Sequence, residues 1–258
     1  MLKICPLIDL FFTDDRTWTG RAEKIAACGF DAVETWGGGD RKMLQEITAG
    51  GLKLASIVMN FANEDKVVPL NPDNRQAFLD RIDRFMDNAL AVGCVQGIVT
   101  AGQQVGSLSH ARQRHVLTEN LALAGEMAAK RNFTINLEPL NTEVDHPGYF
   151  LFDPAEAVSI ARETGCANVK VLYDVYHMAI MYGNLTEFLR YNIRWIGHFH
   201  TAGIPGRHEP AAGETNYPFL LREIDRLGYT GYIGLEYFPL MESRASLKQT
   251  VEFFTRQD

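Results

Sequence analysis

Cysteine is scarce in this chain, which has four in 258 residues, with no CxxC pair and no Cys/His spacing typical of zinc sites. The lack of these patterns argues against a thioredoxin-like redox motif and a structural zinc site. We therefore expect Cys5, Cys28, Cys94 and Cys166 to be reduced thiols in or near the core.

Long hydrophobic runs are also missing. No apolar stretch approaches the roughly 20 residues that a transmembrane helix requires. The first segment, MLKICPLIDLFFTDD, has a short apolar run that Pro6 and Asp9 interrupt, and it lacks the small-residue cleavage site of a signal peptide. The sequence thus predicts a cytoplasmic protein with no membrane partner.

Positive charge is in the minority, with 25 Lys and Arg against 32 Asp and Glu, a net charge of −7 and a pI near 5.5. Nucleic-acid binding requires clustered basic residues, so this balance argues against a nucleic-acid partner. We expect a small-molecule substrate instead.

Glycine-rich phosphate loops of the GxGxxG and GxxxxGK[ST] types do not occur. The nearest segment, WGGGD at 36–40, matches neither spacing. We interpret it as a loop between a strand and a helix rather than as a phosphate cradle.

What the chain does contain is a regular alternation of β-branched apolar runs with longer segments of helical period, which predicts a parallel sheet. The predicted strands are Ile4–Leu10, Ala32–Thr35, Leu54–Asn60, Gly97–Ala101, Thr134–Glu138, Val169–Asp174, Trp195–His200 and Tyr232–Glu236. The predicted helices lie near 17–27, 40–49, 73–92, 109–130, 153–164, 185–192, 216–227 and 244–256.

Local signals mark the ends of these segments. Asp153 precedes Pro154, as an N-cap precedes a proline at the first helical position. Glycines follow four helical segments, as left-handed C-caps require: Gly29, Gly93, Gly165 and Gly228. Because no linker divides the chain, we predict one domain over residues 1–258, an α/β fold of the (β/α)8 TIM barrel type, with its active site at the carboxyl ends of the strands.

Four successive predicted strands end in side chains that bind metal ions. These are Glu138, Asp174, His200 and Glu236. Any one of them alone is more often a helix cap or a surface charge, but together they bring three carboxylates and an imidazole to one rim. Buried like charges need neutralisation, so the pattern predicts a divalent cation, with Mn²⁺, Mg²⁺, Co²⁺ and Zn²⁺ all compatible.

Two further residues are candidates for substrate contact. His177 follows Asp174 by three residues, so a helical turn would direct both side chains to one pocket. A histidine bonded to the backbone at a helix start is the alternative. Arg207, in the loop after the seventh strand, would hold a substrate oxygen or carboxylate, unless it is a solvated loop residue.

The sequence does not assign a single role to several side chains near these candidates. His198 faces the same side of its strand as His200, either as a partner of the site or as a core histidine, and His208 and Glu209 are candidates for ordering the loop. Exposed aromatic residues on predicted front loops either close the pocket or form a contact between copies in a homo-oligomer: Trp18, Trp36 and Phe61.

Long segments of the chain resemble one known family. GFDAVE, NLEPLN followed by PGYFL, YDVYHM, GHFHTAGIPGRHEPAAGETNYPFL and GYIGLEYFP are similar to the hydroxypyruvate isomerase family of xylose-isomerase-like TIM barrels. The superfamily also includes 2-oxo-tetronate isomerases, ketose 3-epimerases and the more distant endonuclease IV.

The resemblance implies a cation held by Glu138, Asp174, His200 and Glu236, with Glu138 and Glu236 also acting as the acid–base pair. It places His177 and Arg207 at substrate oxygens. The chain departs from the hydroxypyruvate isomerases at His200, where they carry Gln and the ketose epimerases carry His, and in ETWGGGD after the second strand.

These features predict an isomerase that moves a proton through an enediolate on a compound such as hydroxypyruvate or a 2-oxo-tetronate. A ketose 3-epimerase is the alternative, because the same two glutamates serve either reaction. An abasic-site endonuclease would call for more histidine ligands and a basic face, and a non-catalytic sugar-binding barrel would not need all four ligands.

Overall fold

Eight parallel strands form one sheet in the order β1-β8-β7-β6-β5-β4-β3-β2, in a computed structural model that describes residues 2–60 and 67–256. A parallel bridge between Leu7 and Glu34 links the two edge strands. The sheet is therefore a nearly closed barrel, and the predicted TIM barrel is confirmed.

The strands are β1 (Lys3–Pro6), β2 (Ala32–Thr35), β3 (Lys53–Asn60), β4 (Gln96–Thr100), β5 (Thr134–Glu138), β6 (Val169–Asp174), β7 (Ile196–Thr201) and β8 (Tyr232–Leu235). The helices are α1 (Trp18–Ala26), α2 (Arg41–Ala49), α3 (Arg75–Leu90), α4 (His110–Ala129), α5 (Pro154–Glu163), α6 (Val175–Met181), α7 (Leu185–Asn192), α8 (Tyr217–Arg226) and α9 (Ser243–Phe254). Short 3-10 turns occupy Ile8–Leu10, Pro72–Asn74, Ile193–Trp195 and Pro210–Ala212.

The first strand is shorter than the predicted Ile4–Leu10. After β1 the chain forms a 3-10 turn in which the Leu10 N–H donates to the Leu7 carbonyl. This turn brings the Asp9 carboxylate to the backbone N–H of Trp36, at 3.1 Å. The prediction was wrong here because a run of apolar residues does not distinguish a strand from a buried turn.

The sixth unit also differs, because α6 begins directly after β6 with no intervening loop. Asp174 is its N-cap, and its Oδ1 accepts the backbone N–H groups of Tyr176 and His177 at 2.8 and 3.4 Å. The helical turn assumed for His177 is thus present. Strand β7 begins one residue later than predicted, because Trp195 belongs to the preceding 3-10 turn.

The predicted cap signals are confirmed. The Asp153 side chain accepts the backbone N–H groups of Ala155 and Glu156 at the start of α5. The four glycines after helices all have positive φ, a conformation that side chains with a Cβ rarely adopt. The segment 36–40 is a loop between β2 and α2, and Asp40 caps that helix.

The main hydrophobic core lies between the sheet and the surrounding helices. A separate apolar cluster of Val58, Ile98 and Leu172 lies against Trp36. All four cysteines are free thiols: Cys5 and Cys94 are buried and the other two are half-buried. In the part of the chain that the structure describes, no helix has the length and apolar character needed to cross a bilayer.

Candidate active site

The four predicted ligands meet at the carboxyl end of the barrel. Glu138 ends β5, Asp174 ends β6, His200 lies one residue before the end of β7, and Glu236 directly follows β8. Each is at most 6% exposed. Parallel strands place their ends on the same rim, so the chain delivers these four groups to one point.

Short distances connect the members of this cluster. His200 Nδ1 lies 3.1 Å from Glu236 Oε2 and 3.6 Å from Glu138 Oε1. One potential ligand atom from each of Glu138, Asp174, His177 and Glu236 lies within 4.8 Å of the others. The rim therefore carries three carboxylates and two imidazoles, one more imidazole than the predicted ligand set.

Hydrogen bonds decide which ring nitrogen of His177 carries the hydrogen. The Asn141 Oδ1 accepts the backbone N–H of Val144 at 3.0 Å and that of Asp145 at 2.9 Å. The Asn141 amide group therefore points its Nδ2 at His177 Nδ1, 2.7 Å away, and its backbone N–H lies 3.3 Å from the same atom. Because two donors converge on Nδ1, that atom is an acceptor and Nε2 carries the hydrogen.

His177 thus presents an N–H group to the cluster, with Nε2 3.4 Å from Asp174 Oδ2. A protonated ring nitrogen has no lone pair for a metal ion. His200 has the opposite arrangement, because its Nε2 lies 3.2 Å from the carboxylate Oε2 of Glu34 and its buried Nδ1 faces the glutamates. Of the two imidazoles, His200 is the one suited to bind a cation.

Glu34 was not among the predicted site residues. It lies inside β2, is 1% exposed, and its Oε2 also accepts a hydrogen bond from His198 Nε2 at 2.6 Å. Burial alone raises the pKa of Glu34, but His200 and His198 together lower it below its ordinary value. The sequence signal was the final Glu of GFDAVE, which carries no indication of its partners in β7.

Arg207 is nearly buried and lies against the same carboxylates. Its Nη2 donates to Glu236 Oε2 at 2.5 Å and is 3.8 Å from Asp174 Oδ2, while the guanidinium stacks over the Tyr176 ring. Burial alone would raise the pKa of Glu236, but the charges of Arg207 and His200 lower it well below its usual range. Glu236 is therefore an ionised carboxylate.

Trp36 reaches the cluster from the loop after β2. Its indole Nε1 donates to Glu236 Oε1 at 2.9 Å, so both oxygens of Glu236 have a donor. Of the three aromatic residues with open roles, Trp36 is thus a wall of the pocket. Trp18 begins α1 and packs against Arg21, and Phe61 lies outside the described residues.

Glu209 orders the loops around Arg207, as the sequence suggested. Its buried carboxylate accepts the backbone N–H groups of Leu240 and Met241 and the hydroxyl of Ser246. His208 Nδ1 bonds the Phe238 carbonyl at 2.8 Å. These contacts join the loop after β7 to the loop after β8.

The cluster opens into a cavity of about 120 Å³. Its walls include apolar groups, among them Val58 and Leu140, and polar groups from most of the predicted site: Glu138, His177, His200, Arg207 and Glu236. His146, which sequence reasoning missed, also lines it, with its ring 5.4 Å from that of His177. Burial lowers the pKa of His146, which favours the neutral imidazole at pH 7.

The electrostatics of the cluster suit a cation. Burial raises the pKa of Asp174 to about 7, and the neighbouring glutamates contribute. Burial lowers the pKa of His200, yet the charges of Glu34 and Glu236 outweigh it and raise that pKa well above its ordinary value. The site thus stabilises positive charge at its centre, and its oxygen-rich donor set with one imidazole fits a divalent metal ion.

Comparisons with known proteins agree with the fold. The xylose isomerase-like TIM barrel family profile matches residues 22–257. A 2-oxo-tetronate isomerase from Cupriavidus necator is 35% identical over 91% of this chain and 92% of its own, and the hydroxypyruvate isomerase of Escherichia coli is 30% identical over 96% and 98%. A crystal structure of AP endonuclease, family 2 from Brucella melitensis superposes with a TM-score of 0.90 at 28% identity, covering 100% of both chains. The chain therefore belongs to the xylose isomerase-like TIM barrel family, with hydroxypyruvate and 2-oxo-tetronate isomerases among its relatives, and it is an isomerase.

Proposed function

We propose that this isomerase acts on a small hydroxy-carbonyl compound of the hydroxypyruvate or 2-oxo-tetronate type, with a divalent cation and with Glu138 and Glu236 as the acid–base pair. The observation that carries the proposal is the position of these two carboxylates. They come from strands three apart around the barrel, are both buried, and line one small cavity.

The cation would be held by Glu138, Asp174, His200 and Glu236. Ligand atoms of the three carboxylates lie within 4.8 Å of one another, and His200 Nδ1 lies 3.1 Å from Glu236 Oε2 and 3.6 Å from Glu138 Oε1. His177 is left out of this set because its inward nitrogen carries a hydrogen. When bound, a divalent ion supplies a Lewis acid that stabilises negative charge developing on the substrate oxygens.

The two glutamates would move the proton. A carboxylate next to the carbon beside a carbonyl removes its proton, and return of a proton to the adjacent carbon completes the isomerisation. Glu236 is held at both oxygens by Trp36 and Arg207, so its position relative to the substrate carbon is tightly defined. The N–H of His177 and the guanidinium of Arg207 would orient substrate oxygens.

Epimerisation at C3 of a ketose is the second candidate. It requires a base that removes the proton on one face of a carbon and an acid that returns a proton on the other, and Glu138 and Glu236 approach the same cavity from different strands. The two reactions differ in where the proton returns, and the product distinguishes them.

The test is incubation of cation-loaded protein in D₂O with hydroxypyruvate, a 2-oxo-tetronate and a panel of free ketoses, followed by NMR. The proposal predicts deuterium at the α-carbon and a new aldehyde or ketone. Inversion at C3 of a ketose would establish the epimerase. No exchange with any compound, in protein shown to hold its cation, would contradict both.

DNA cleavage is a weaker alternative, despite the AP endonuclease among similar structures. The net charge of −7 disfavours a DNA-binding face. Within residues 2–60 and 67–256, the two candidate ligand groups contain one histidine each. Cleavage of an abasic-site duplex at low salt would contradict this conclusion.

A further inference from the structure

The carboxylate of Glu34 lies behind His200, on the side away from the cavity. One oxygen, Oε2, is within hydrogen-bond distance of two imidazoles, 2.6 Å from His198 Nε2 and 3.2 Å from His200 Nε2. All three side chains are at most 2% exposed. A buried carboxylate in this position requires donors, so both Nε2 atoms carry hydrogen.

This hydrogen bond determines whether His200 has a free lone pair on the ring nitrogen that faces the rim. An imidazole with its hydrogen on Nε2 can present a lone pair at Nδ1, the atom that faces Glu138 and Glu236. With the hydrogen on Nδ1 alone, the Nε2 lone pair would oppose the Glu34 carboxylate. The contact with Glu34 therefore selects the form of His200 that can bind a cation.

Strand β8 leaves room for this arrangement. Gly234 is paired with His200 across the β7–β8 ladder. A Cβ atom built on Gly234 would lie 2.0 Å from Glu34 Oε1 and 2.6 Å from His200 Cδ2. A glycine here allows the Glu34 side chain to reach His200, and any larger residue would displace it.

We propose that Glu34, supported by His198 and by the space at Gly234, is a positioning residue that holds His200 with Nδ1 free for a divalent cation. The inference rests on the proposed cation site. Carboxylates that orient a histidine ligand in this way typically change metal affinity by about 10–100-fold when they are removed.

The first measurement is Mn²⁺ affinity by electron paramagnetic resonance of the free ion. We expect the dissociation constant to rise by roughly 10–100-fold in Glu34→Gln, and also in Gly234→Ala, which retains the charge but displaces the carboxylate. Cys5→Ala is the matched control, because Cys5 lies beside Glu34 and His198 but makes its hydrogen bond to the Ile233 carbonyl. It should bind Mn²⁺ as tightly as the wild type.

The second measurement is made on the wild-type protein, and variants serve only to assign the signal and as a control. The protein is labelled with ¹⁵N at histidine and loaded with Mg²⁺ or Zn²⁺. In the NMR spectrum of the wild type, the hydrogen on His200 Nε2 should give a downfield resonance and should be protected from exchange with solvent. Its loss in His200→Gln assigns it, and Cys5→Ala should retain it. A purely structural role for Glu34 would not require this resonance.

The outcomes separate this inference from the proposed function. Wild-type affinity in Glu34→Gln, or an unprotected Nε2 position in the loaded wild type, would overturn the role of Glu34 alone. Failure of the wild type to bind any of the four cations, or unchanged binding in Glu138→Gln, would instead overturn the cation site itself.

Discussion

At the rim, each oxygen of Glu236 has its own donor, the Trp36 indole on one and the Arg207 guanidinium on the other. Glu138 enters the same cavity from β5, 3.6 Å from His200 Nδ1. Two carboxylates with different surroundings can hold and release a proton in turn.

Glu138→Gln and Glu236→Gln should each reduce kcat by about 10²–10⁴-fold, because an amide can neither remove nor return the proton. Steady-state turnover and circular dichroism of the folded variants are the measurements. Glu143→Gln, an exposed glutamate in the loop after β5, is the control and should retain full activity. Near-normal turnover in either site variant would contradict the acid–base assignment.

Trp36→Phe should lower kcat/KM by about 10–100-fold, since it keeps most of the ring but removes a hydrogen bond to a charged group worth about 1.5–3 kcal/mol. The comparison variant is Trp195→Phe, which lies in the 3-10 turn before β7. If Trp36→Phe and Trp195→Phe have the same kcat/KM, the indole N–H of Trp36 has no part in holding Glu236.

At the scale of elements, the junction of β6 and α6 combines structure and chemistry in one side chain. Asp174 caps α6 through Oδ1 and directs Oδ2 toward Arg207 and the proposed cation site. Because the helix begins without a loop, His177 is carried to the cluster by the first turn of α6. The same local sequence therefore both ends the strand and supplies two site residues.

Asp174→Asn should separate these two roles. Asparagine is as good an N-cap as aspartate, so the free energy of unfolding should change by less than about 1 kcal/mol, whereas Mn²⁺ binding should weaken strongly because a charged ligand is lost. Asp153→Asn, at the N-cap of α5, is the matched change at a helix start away from the site. Chemical denaturation and Mn²⁺ titration of both variants test this; unchanged Mn²⁺ affinity in Asp174→Asn would remove it from the ligand set.

At the scale of the whole molecule, three buried carboxylates at one end of the barrel oppose folding in the absence of a counter-charge. Arg207 neutralises part of this charge, being close to both Glu236 and Asp174. A bound cation would neutralise more and would bind the folded state in preference to the unfolded one.

Saturating Mn²⁺ should therefore raise the melting temperature of chelator-treated protein. At a concentration 100 times the dissociation constant the gain is about 2.7 kcal/mol, which corresponds to about 5–10 °C for a chain of this size. Differential scanning calorimetry is the measurement, and Glu138→Gln should show a smaller shift. The absence of any shift with Mn²⁺, Mg²⁺, Co²⁺ and Zn²⁺ would contradict a cation site.

The sequence alone determined the barrel and the positions of Glu138, Asp174, His200 and Glu236 along its rim. Strand and helix periods are local properties, and the ends of successive parallel strands lie on one side of the sheet, so a residue at a strand end has a known location. The spacing of Asp174 and His177 raised a helical turn only as a condition, and α6 was not among the predicted helices.

Only the tertiary structure decided which side chains the rim residues contact. Glu34 and Trp36 belong to the second βα unit, and they contact His198, His200 and Glu236 from 164 to 200 residues away because the barrel closes. Which ring nitrogen carries the hydrogen likewise depends on neighbours that are distant in sequence, Asn141 for His177 and Glu34 for His200. Local periodicity carries no information about contacts across a closed barrel, which is why the candidate ligands could be identified from the sequence and their orientation could not.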